Sequence, residues 1–129
     1  MTMLSRWPIL TISALAFGVA ALSGLKAQTK APVYAVIDIS ETMDADAYIK
    51  AVSAAEPRAT QSAGGRFVVR TSKAIALDGS SAPNRFVVIA FDSEQQARAW
   101  HASEPIKEVN AVRAKATKSR AFLVEGLGN

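Results

Sequence analysis

GGRFVVR at residues 64–70, RFVVIAF at 85–91, ARAW at 97–100 and RAFLVEG at 120–126 are the four fragments that determine the fold of this chain. The first, second and fourth are short runs of β-branched and aromatic residues bounded by arginine, which is typical of strands. The third places Ala97 and Trp100 three residues apart, so both side chains share one face of a helix. The fragments therefore predict two strands, a helix and a further strand.

The first half of the chain adds one strand and one helix before these fragments. Residues 33–39 alternate around β-branched side chains and predict a strand. Asp44 is a good N-cap for the helix that follows. Pro57 is expected to kink or split that helix, and Gly64-Gly65 ends it.

Turn and cap signals divide the second half of the chain. The turn formers at 78–84 predict a hairpin loop, before which the preceding strand is expected to resume at 74–77. Ser93 and Gln96 form a capping box that opens the second helix, and Pro105 breaks it. The order is βαββαβ. We therefore predict an α+β, ferredoxin-like fold, in which a four-stranded antiparallel sheet carries two helical segments on one face.

Alternation along the strands assigns side chains to the two faces of this sheet. The face under the helices is expected to contain Ala35, Ile37, Phe67, Val69, Val87, Ile89, Phe91, Phe122 and Val124. The other face is expected to contain Tyr34, Val36, Asp38, Arg66, Val68, Arg70, Phe86, Val88, Ala90, Ala121, Leu123 and Glu125. The centre of this second face is too apolar for water. Because the short chain has nothing left to cover it, we expect a homodimer, with two sheets packed face to face as a dimeric α/β barrel.

Composition limits the chemistry that is available. A chain of 129 residues leaves room for one domain of about 100 residues, which we place at 33–127. There is no cysteine, which excludes disulfides, thiolate zinc sites and thiol nucleophiles. A single histidine excludes a histidine-rich metal site. We therefore expect neither a metal nor a cofactor.

The N-terminal residues 1–27 have the pattern of a secretory signal peptide. Arg6 is followed by an uncharged stretch, residues 7–25, and small residues near its end offer cleavage sites. The stretch is also long enough for a membrane anchor, which is the alternative. We expect an exported, periplasmic protein, or one anchored to the inner membrane by residues 7–25. Residues 28–32 are a linker.

The net charge of the exported part is ordinary. Without Arg6 and Lys26 the 15 basic residues become 13, against 11 acidic ones, so the net charge is 13 − 11 = +2. Basic residues cluster between Arg113 and Arg120, which is typical of a solvated helix end whose cations complement the helix dipole. We therefore expect no nucleic-acid partner. A membrane partner is expected only if the N-terminal segment is not cleaved.

The ordered fragments resemble the domain of unknown function 1330 family, small bacterial proteins of the dimeric α/β-barrel type. The matching pieces are residues 44–48, 64–67, 85–89, 97–100 and 123–126. The resemblance implies the fold and the dimer but no activity. The chain departs from the family pattern at Ala90, where glutamate is usual, at His101, where tyrosine is common, and at residues 103–106. The missing carboxylate at position 90 weakens any proposal that a glutamate there is a general base.

Two residues are candidates for acid–base catalysis. His101 is a candidate because the unperturbed pKa of a histidine side chain lies near neutrality, and a surface or capping role is the alternative. Asp38 is the second candidate.

The candidates for ligand binding are five residues of the strands: Tyr34, Asp38, Arg66, Arg70 and Glu125. Arg66 and Arg70 are in phase on one strand, which makes both candidates for clamping a carboxylate or phosphate. The alternative is a salt bridge of these arginines with Asp38 or Glu125 on neighbouring strands or across the dimer. Tyr34 offers a further hydrogen-bond donor.

Three functional hypotheses remain open at this point. The first is a dimer that binds a small organic anion in a cleft. The second is a cofactor-free enzyme, like the monooxygenases and lactone isomerases among relatives of the barrel fold, which is an analogy between folds. The third is a structural protein of the envelope without a ligand.

Overall fold

Seven elements follow one another in the computed structural model, which describes residues 30–128. They are the strands β1 (Val33–Thr42), β2 (Arg66–Thr71), β3 (Arg85–Phe91) and β4 (Thr117–Glu125) and the helices α1 (Ala45–Ser62), α2 (Glu94–Ala102) and α3 (Glu104–Ala116). The order confirms the predicted βαββαβ arrangement, with α2 and α3 as two parts of the second helical segment. The predicted signal peptide or anchor at 1–27 lies outside the described residues, as do residues 28–29 of the linker.

The strands form one antiparallel sheet in the order β2-β3-β1-β4. Strand β1 lies in the centre and pairs with β3 on one side and with β4 on the other. In this register Ala35 is paired with Ile89 of β3 and with Leu123 of β4. The predicted ferredoxin-like fold with a four-stranded antiparallel sheet is therefore confirmed.

Side-chain caps begin the first two helices where the sequence predicts them. Asp44 Oδ1 accepts a hydrogen bond from the Ala47 N–H at 3.0 Å, and Ser93 Oγ accepts one from the Gln96 N–H at 3.1 Å. Gln96 Oε1 in turn accepts from the N–H of Asp92, one residue before the cap, at 3.1 Å. These bonds satisfy backbone donors that a helix start leaves without partners.

Pro57 and Pro105 have different effects on the helices. Pro57 lies inside α1 but does not split it, since the helix continues from Ala45 to Ser62. Pro105 lies in the first turn of α3, where a missing N–H costs nothing, and so it separates α3 from α2. Within residues 30–128, no helix combines the length and the apolar character that a bilayer crossing requires.

The helices all pack on one face of the sheet, which we call the covered face; the opposite one is the open face. The core on the covered face joins side chains of β1 and β3 to the inner sides of the three helices: Ala35, Ile37, Ile39, Val87, Ile89, Phe91, Tyr48, Val52, Ala97, Trp100, Ile106 and Val109. Trp100 is central to it. Its ring lies 5.4 Å from that of Phe91, and its Nε1–H donates to Thr60 Oγ1 at 3.0 Å in a buried bond.

The side chains of strand β4 lie on the opposite faces of the sheet to those predicted. Covered-face residues of β1 pair with Ala121, Leu123 and Glu125, whereas open-face residues of β1 pair with Phe122 and Val124. The prediction of these five positions is wrong because the register with β1, and not local alternation, sets the phase. The open face nevertheless keeps an apolar centre, since Phe122 and Val124 are 40% and 39% exposed.

A β-bulge in β2 changes the faces of two further residues. Phe67 lies on the covered face, but Val69 lies at an open-face position because Val68 is an extra residue between them. Arg70 consequently pairs with Val87 on the covered face. The predictions that placed Val69 under the helices and Arg70 on the open face are therefore wrong.

The predicted continuation of this strand at 74–77 is also wrong. Thr71 already pairs with Phe86 at the start of β3, so residues beyond it have no strand opposite them. Ile75 and Leu77 instead lie in the loop and are 86% and 97% exposed.

We expect Thr60→Val to lower the free energy of unfolding by about 1–3 kcal/mol, because it leaves the buried Trp100 N–H without an acceptor. Urea denaturation measures this change. The control is Thr71→Val, which removes an exposed acceptor of the Lys73 N–H and should cost less than about 1 kcal/mol. Equal losses in the two variants would contradict the role given to the buried bond.

Candidate functional site

A cavity of about 630 Å³ lies on the covered face, between helices α2 and α3 and strands β1 and β4. Exposed Arg98 and His101 lie at its mouth. Arg98 donates two hydrogen bonds to Glu94 Oε1, at 2.9 and 3.2 Å, so these two charges neutralise each other. The charge that remains in the lining belongs to Arg113. The apolar walls are formed by Ala35, Ile37, Ala97, Trp100 and Leu123.

Arg113 reaches the cavity from the inner side of α3. It follows Ile106 and Val109 along one helix face and is only 9% exposed. Its side chain makes no hydrogen bond with any residue of 30–128, and no carboxylate oxygen of that range lies within 4.0 Å of its nitrogens. Burial lowers the pKa of Arg113, while nearby Tyr48 and Glu56 raise it. The cavity lining therefore contains a poorly solvated cation that has no carboxylate partner among the described residues.

Arg113 is also part of a charge cluster, which comprises Tyr48, Glu56, Arg70, Arg85 and Arg113 and is called the buried charge cluster after its buried members Tyr48, Glu56 and Arg113. Arg85 is half-buried in it, and Arg70 is exposed. Glu56 and Tyr48 lie on the inner side of α1, and each is 2% exposed. Desolvation raises the pKa of Glu56, and the positive charges of Arg70, Arg85 and Arg113 oppose that rise. Desolvation likewise raises the pKa of Tyr48, and the charge of Glu56 adds to it.

The buried charge cluster has more hydrogen-bond donors than acceptors. It contains three guanidinium groups and one carboxylate. The guanidinium carbon of Arg85 lies 5.7 Å from the centre of the Tyr48 ring. Its Nε is buried and has no hydrogen-bond partner in the described part of the chain.

The two arginines predicted to form a clamp lie on opposite faces of the sheet. Arg66 pairs with Ala90 on the open face, whereas Arg70 lies on the covered face after the bulge. There its guanidinium carbon stacks over Phe67, 4.9 Å from the ring centre. The predicted common face of Arg66 and Arg70 is therefore wrong, and the structure does not bring them together.

The remaining candidates for ligand binding are also dispersed. Asp38 lies on the open face and accepts from Arg120 Nε at 3.1 Å, so its partner is neither Arg66 nor Arg70. Tyr34 is on the same face, four residues away along β1. Glu125 is exposed at the end of β4, at a covered-face position. The salt bridges considered for Arg66 and Arg70 are absent among residues 30–128.

Of the two candidates for acid–base catalysis, the structure brings His101 to the cavity. Its ring lies 6.3 Å from that of Trp100, and its side chain is exposed. Asp38 lies on the other face of the sheet. Across residues 30–128, no group of three or more His, Asp or Glu side chains is arranged to hold a metal ion.

The sequence analysis does not single out Glu56 as a candidate residue. It places Arg113 at a solvated helix end, whereas the structure buries its side chain. The relevant signal is the helical spacing. Arg113 lies seven residues after Ile106 on the apolar side of α3, and Glu56 lies between Val52 and Thr60 in a stripe with a period of four. Charged residues inside such stripes are candidates for buried functional groups.

By its fold and its cavity, the protein is a small ferredoxin-like α+β domain with a pocket between helices and sheet. Residues 32–127 match the family model described as Domain of unknown function (DUF1330). The chain belongs to this family. A search of curated proteins finds no match.

Solved structures show the same fold at low sequence identity. A protein of unknown function from Rhodopseudomonas palustris is 15% identical, with a TM-score of 0.62 over 78% of this chain and 86% of its own. A Nitrosomonas europaea protein, provisionally described as an antibiotic biosynthesis monooxygenase, is 17% identical, with a TM-score of 0.56 over 78% of this chain and 93% of its own. At such identities the likeness establishes the fold alone.

The raised pKa of Glu56 predicts how stability depends on pH. A carboxyl group whose pKa is higher in the folded protein than its ordinary value of 4.5 binds more protons when folded. Its stabilising contribution is therefore complete below pH 4.5 and is lost as the pH rises through the folded-state pKa. We expect the free energy of unfolding of the wild type to fall relative to that of Glu56→Gln over this rise.

Urea denaturation of both proteins at several pH values measures this difference. Glu108→Gln, at an exposed position of α3, controls for the loss of a surface carboxylate. A wild type that gains stability relative to Glu56→Gln as the pH rises would contradict the assignment.

Proposed function

We propose that this protein binds a small organic anion with an apolar body, and that Arg113 is the counter-ion of the ligand. The observation that carries the proposal is the buried Arg113 side chain, which lines the cavity without any anion of the described residues within 4.0 Å. A ligand carboxylate would accept two parallel hydrogen bonds from the guanidinium. This proposal replaces the predicted anchors Arg66 and Arg70 with Arg113.

The size and the walls of the cavity support this class of ligand. About 630 Å³ is within the usual range for small-molecule sites, which are mostly apolar with a few polar groups that fix orientation. Trp100, Ile37 and Leu123 would contact the apolar body. A hydrogen bond to a charged group contributes about 1.5–3 kcal/mol, so the arginine would favour an acid over its uncharged amide by at least about tenfold.

A cofactor-free enzyme is the second candidate function. The observation that favours it is His101, which lies at the mouth of the same cavity and carries an imidazole, the side chain that most often serves as a general acid or base. The Nitrosomonas europaea protein is provisionally described as an antibiotic biosynthesis monooxygenase, which adds an analogy between folds. Turnover of a bound acid that is lost in His101→Ala would favour the enzyme over a binding protein.

We also propose that two copies associate through the open face. Its apolar centre includes Val69, Val88, Phe122 and Val124, and the last two are substantially exposed in a single chain. Face-to-face packing of two such sheets would bury this surface. Export to the periplasm, or anchoring by residues 7–25, remains a proposal that rests on the sequence of residues 1–27.

We expect the protein to bind 2-naphthoate at least about tenfold more tightly than 2-naphthamide, its uncharged counterpart. Isothermal titration calorimetry measures both affinities. Arg113→Met should abolish the preference for the acid with little loss of stability, because an apolar side chain of similar length replaces an unpaired buried cation. Lys115→Met, at an exposed position two residues away, removes the same charge and should keep the preference.

Equal affinities of the wild type for the acid and the amide would overturn the proposed anion site. An acid preference that persists in Arg113→Met would place the anion elsewhere. Absence of binding by a wide set of organic acids would favour a structural role without a ligand.

We expect the wild type to sediment as a dimer at micromolar concentration and Phe122→Lys to sediment as a monomer, because a lysine pair would be buried in the interface. Val124→Lys tests the same face at a second position. Ile49→Lys, on the exposed side of α1, should remain dimeric. A monomeric wild type would show that the open face needs another partner.

A further inference from the structure

Strand β4 has a free edge whose hydrogen-bonding pattern follows from one bond at its end. The strand stands last in the order of the sheet and pairs with β1 on one side only. The N–H of Gly126 donates to the carbonyl oxygen of Pro32 at 2.7 Å, and the register between β1 and β4 places these two residues directly opposite each other. Pro32 and Gly126 are therefore a hydrogen-bonded pair of the antiparallel ladder.

Hydrogen-bonded and non-hydrogen-bonded pairs alternate along such a ladder, which fixes the direction of each main-chain group in β4. Phe122 and Val124 are in phase with Gly126, so their N–H and C=O groups point to β1. The N–H and C=O groups of Ala121, Leu123 and Glu125 point away from β1, to the free edge. Within residues 30–128, no main-chain group pairs with them there.

This part of the edge also lacks the features that keep edge strands from pairing. Edge strands are commonly protected by charged side chains, by proline or by a bulge. The opposite edge strand, β2, has the bulge at Val68. Residues 121–124 have no bulge, no proline and no charged side chain, whereas the basic residues Lys118 and Arg120 precede them. Residues 121–124 are therefore an edge to which a further strand can add.

The same residues border the cavity that contains Arg113. Ala121, Phe122 and Leu123 all belong to its lining. Because consecutive side chains of a strand lie on opposite faces of a sheet, three residues in a row border the cavity where the main chain does. A chain paired with the free edge can therefore place its last residue in the cavity. Arg113 is available there, since it has no carboxylate partner within 4.0 Å among the described residues.

We infer that the ligand of the cavity is the C-terminal residue of an extended peptide, whose preceding residues add to β4 as a fifth strand. This inference rests on the proposed function, since Arg113 binds the terminal carboxylate. The side chain of the last residue is the apolar body that contacts Trp100. Main-chain hydrogen bonds to Ala121, Leu123 and Glu125 provide affinity that is independent of the peptide sequence, and the cavity selects the last residue.

The probe is the pentapeptide acetyl-Thr-Val-Thr-Val-Phe with a free C-terminal carboxylate. Its reference is N-acetylphenylalanine, which has the same last residue but no strand. We expect the pentapeptide to bind at least about tenfold more tightly than the reference, because it adds several main-chain hydrogen bonds. The pentapeptide amide should bind at least about tenfold more weakly than the acid, because the carboxylate that Arg113 binds is missing. Isothermal titration calorimetry measures all three affinities.

Alternate methylation of the peptide amides tests the added strand itself. In such a strand the N–H groups of every second residue face β4, and the others face solvent. N-methylation of one alternate set should abolish the gain over N-acetylphenylalanine. N-methylation of the other set should keep most of it.

Four outcomes would overturn the inference while the anion site stands. They are equal affinities of the pentapeptide and N-acetylphenylalanine, equal effects of the two methylated sets, and an amide that binds as tightly as the acid while 2-naphthoate binding still depends on Arg113. The fourth is a dimer that the pentapeptide dissociates in sedimentation, which would assign the free edge to a second copy of the chain. A wild type that binds neither 2-naphthoate, nor N-acetylphenylalanine, nor the pentapeptide would overturn both the inference and the proposed function.

Discussion

The central strand β1 is hydrogen-bonded on both sides, and its two registers determine where every functional side chain of the sheet lies. Ala35 and Ile37 point to the helices together with their partners on β3 and β4, while Val36 and its neighbours form the open face. A shift of β4 by one residue would move Leu123 to the open face and Phe122 to the covered face. The cavity and the proposed dimer surface are therefore two consequences of one pairing pattern.

Most of the fold could be predicted from the sequence because local signals agree with the tertiary structure. Asp44 and Ser93 cap helices as expected, and the βαββαβ order follows from three arginine-bounded strands and the turns between them. The face assignments of β4 could not be predicted. Phe122, Leu123 and Val124 are consecutive apolar residues, so a period of two fits them equally well in either phase, and only pairing with β1 decides.

The candidate site was harder to predict than the fold. The bulge at Val68 is one extra residue in an apolar run, with no turn former to mark it, yet it separates Arg66 from Arg70 and removes the expected clamp. Arg113 belongs to a run of basic residues that suggests a solvated surface. Its burial follows from the packing of α3 against α1 and the sheet, which composition alone does not indicate.

The buried charge cluster explains why a small domain would keep such a group of side chains. Burying charged groups seldom adds stability, because desolvation offsets their attraction. Among the described residues the cluster forms no ion pair within 4.0 Å, and it is unbalanced, since it contains three guanidinium groups, of which that of Arg70 is exposed, and one carboxylate. An anionic ligand would correct the imbalance at Arg113, where the cavity gives access. The most direct test is a crystal structure of the protein with 2-naphthoate. The account predicts a carboxylate within about 3 Å of the Arg113 guanidinium and a naphthyl ring against Trp100. A carboxylate bound at Arg66 or elsewhere on the open face would contradict it.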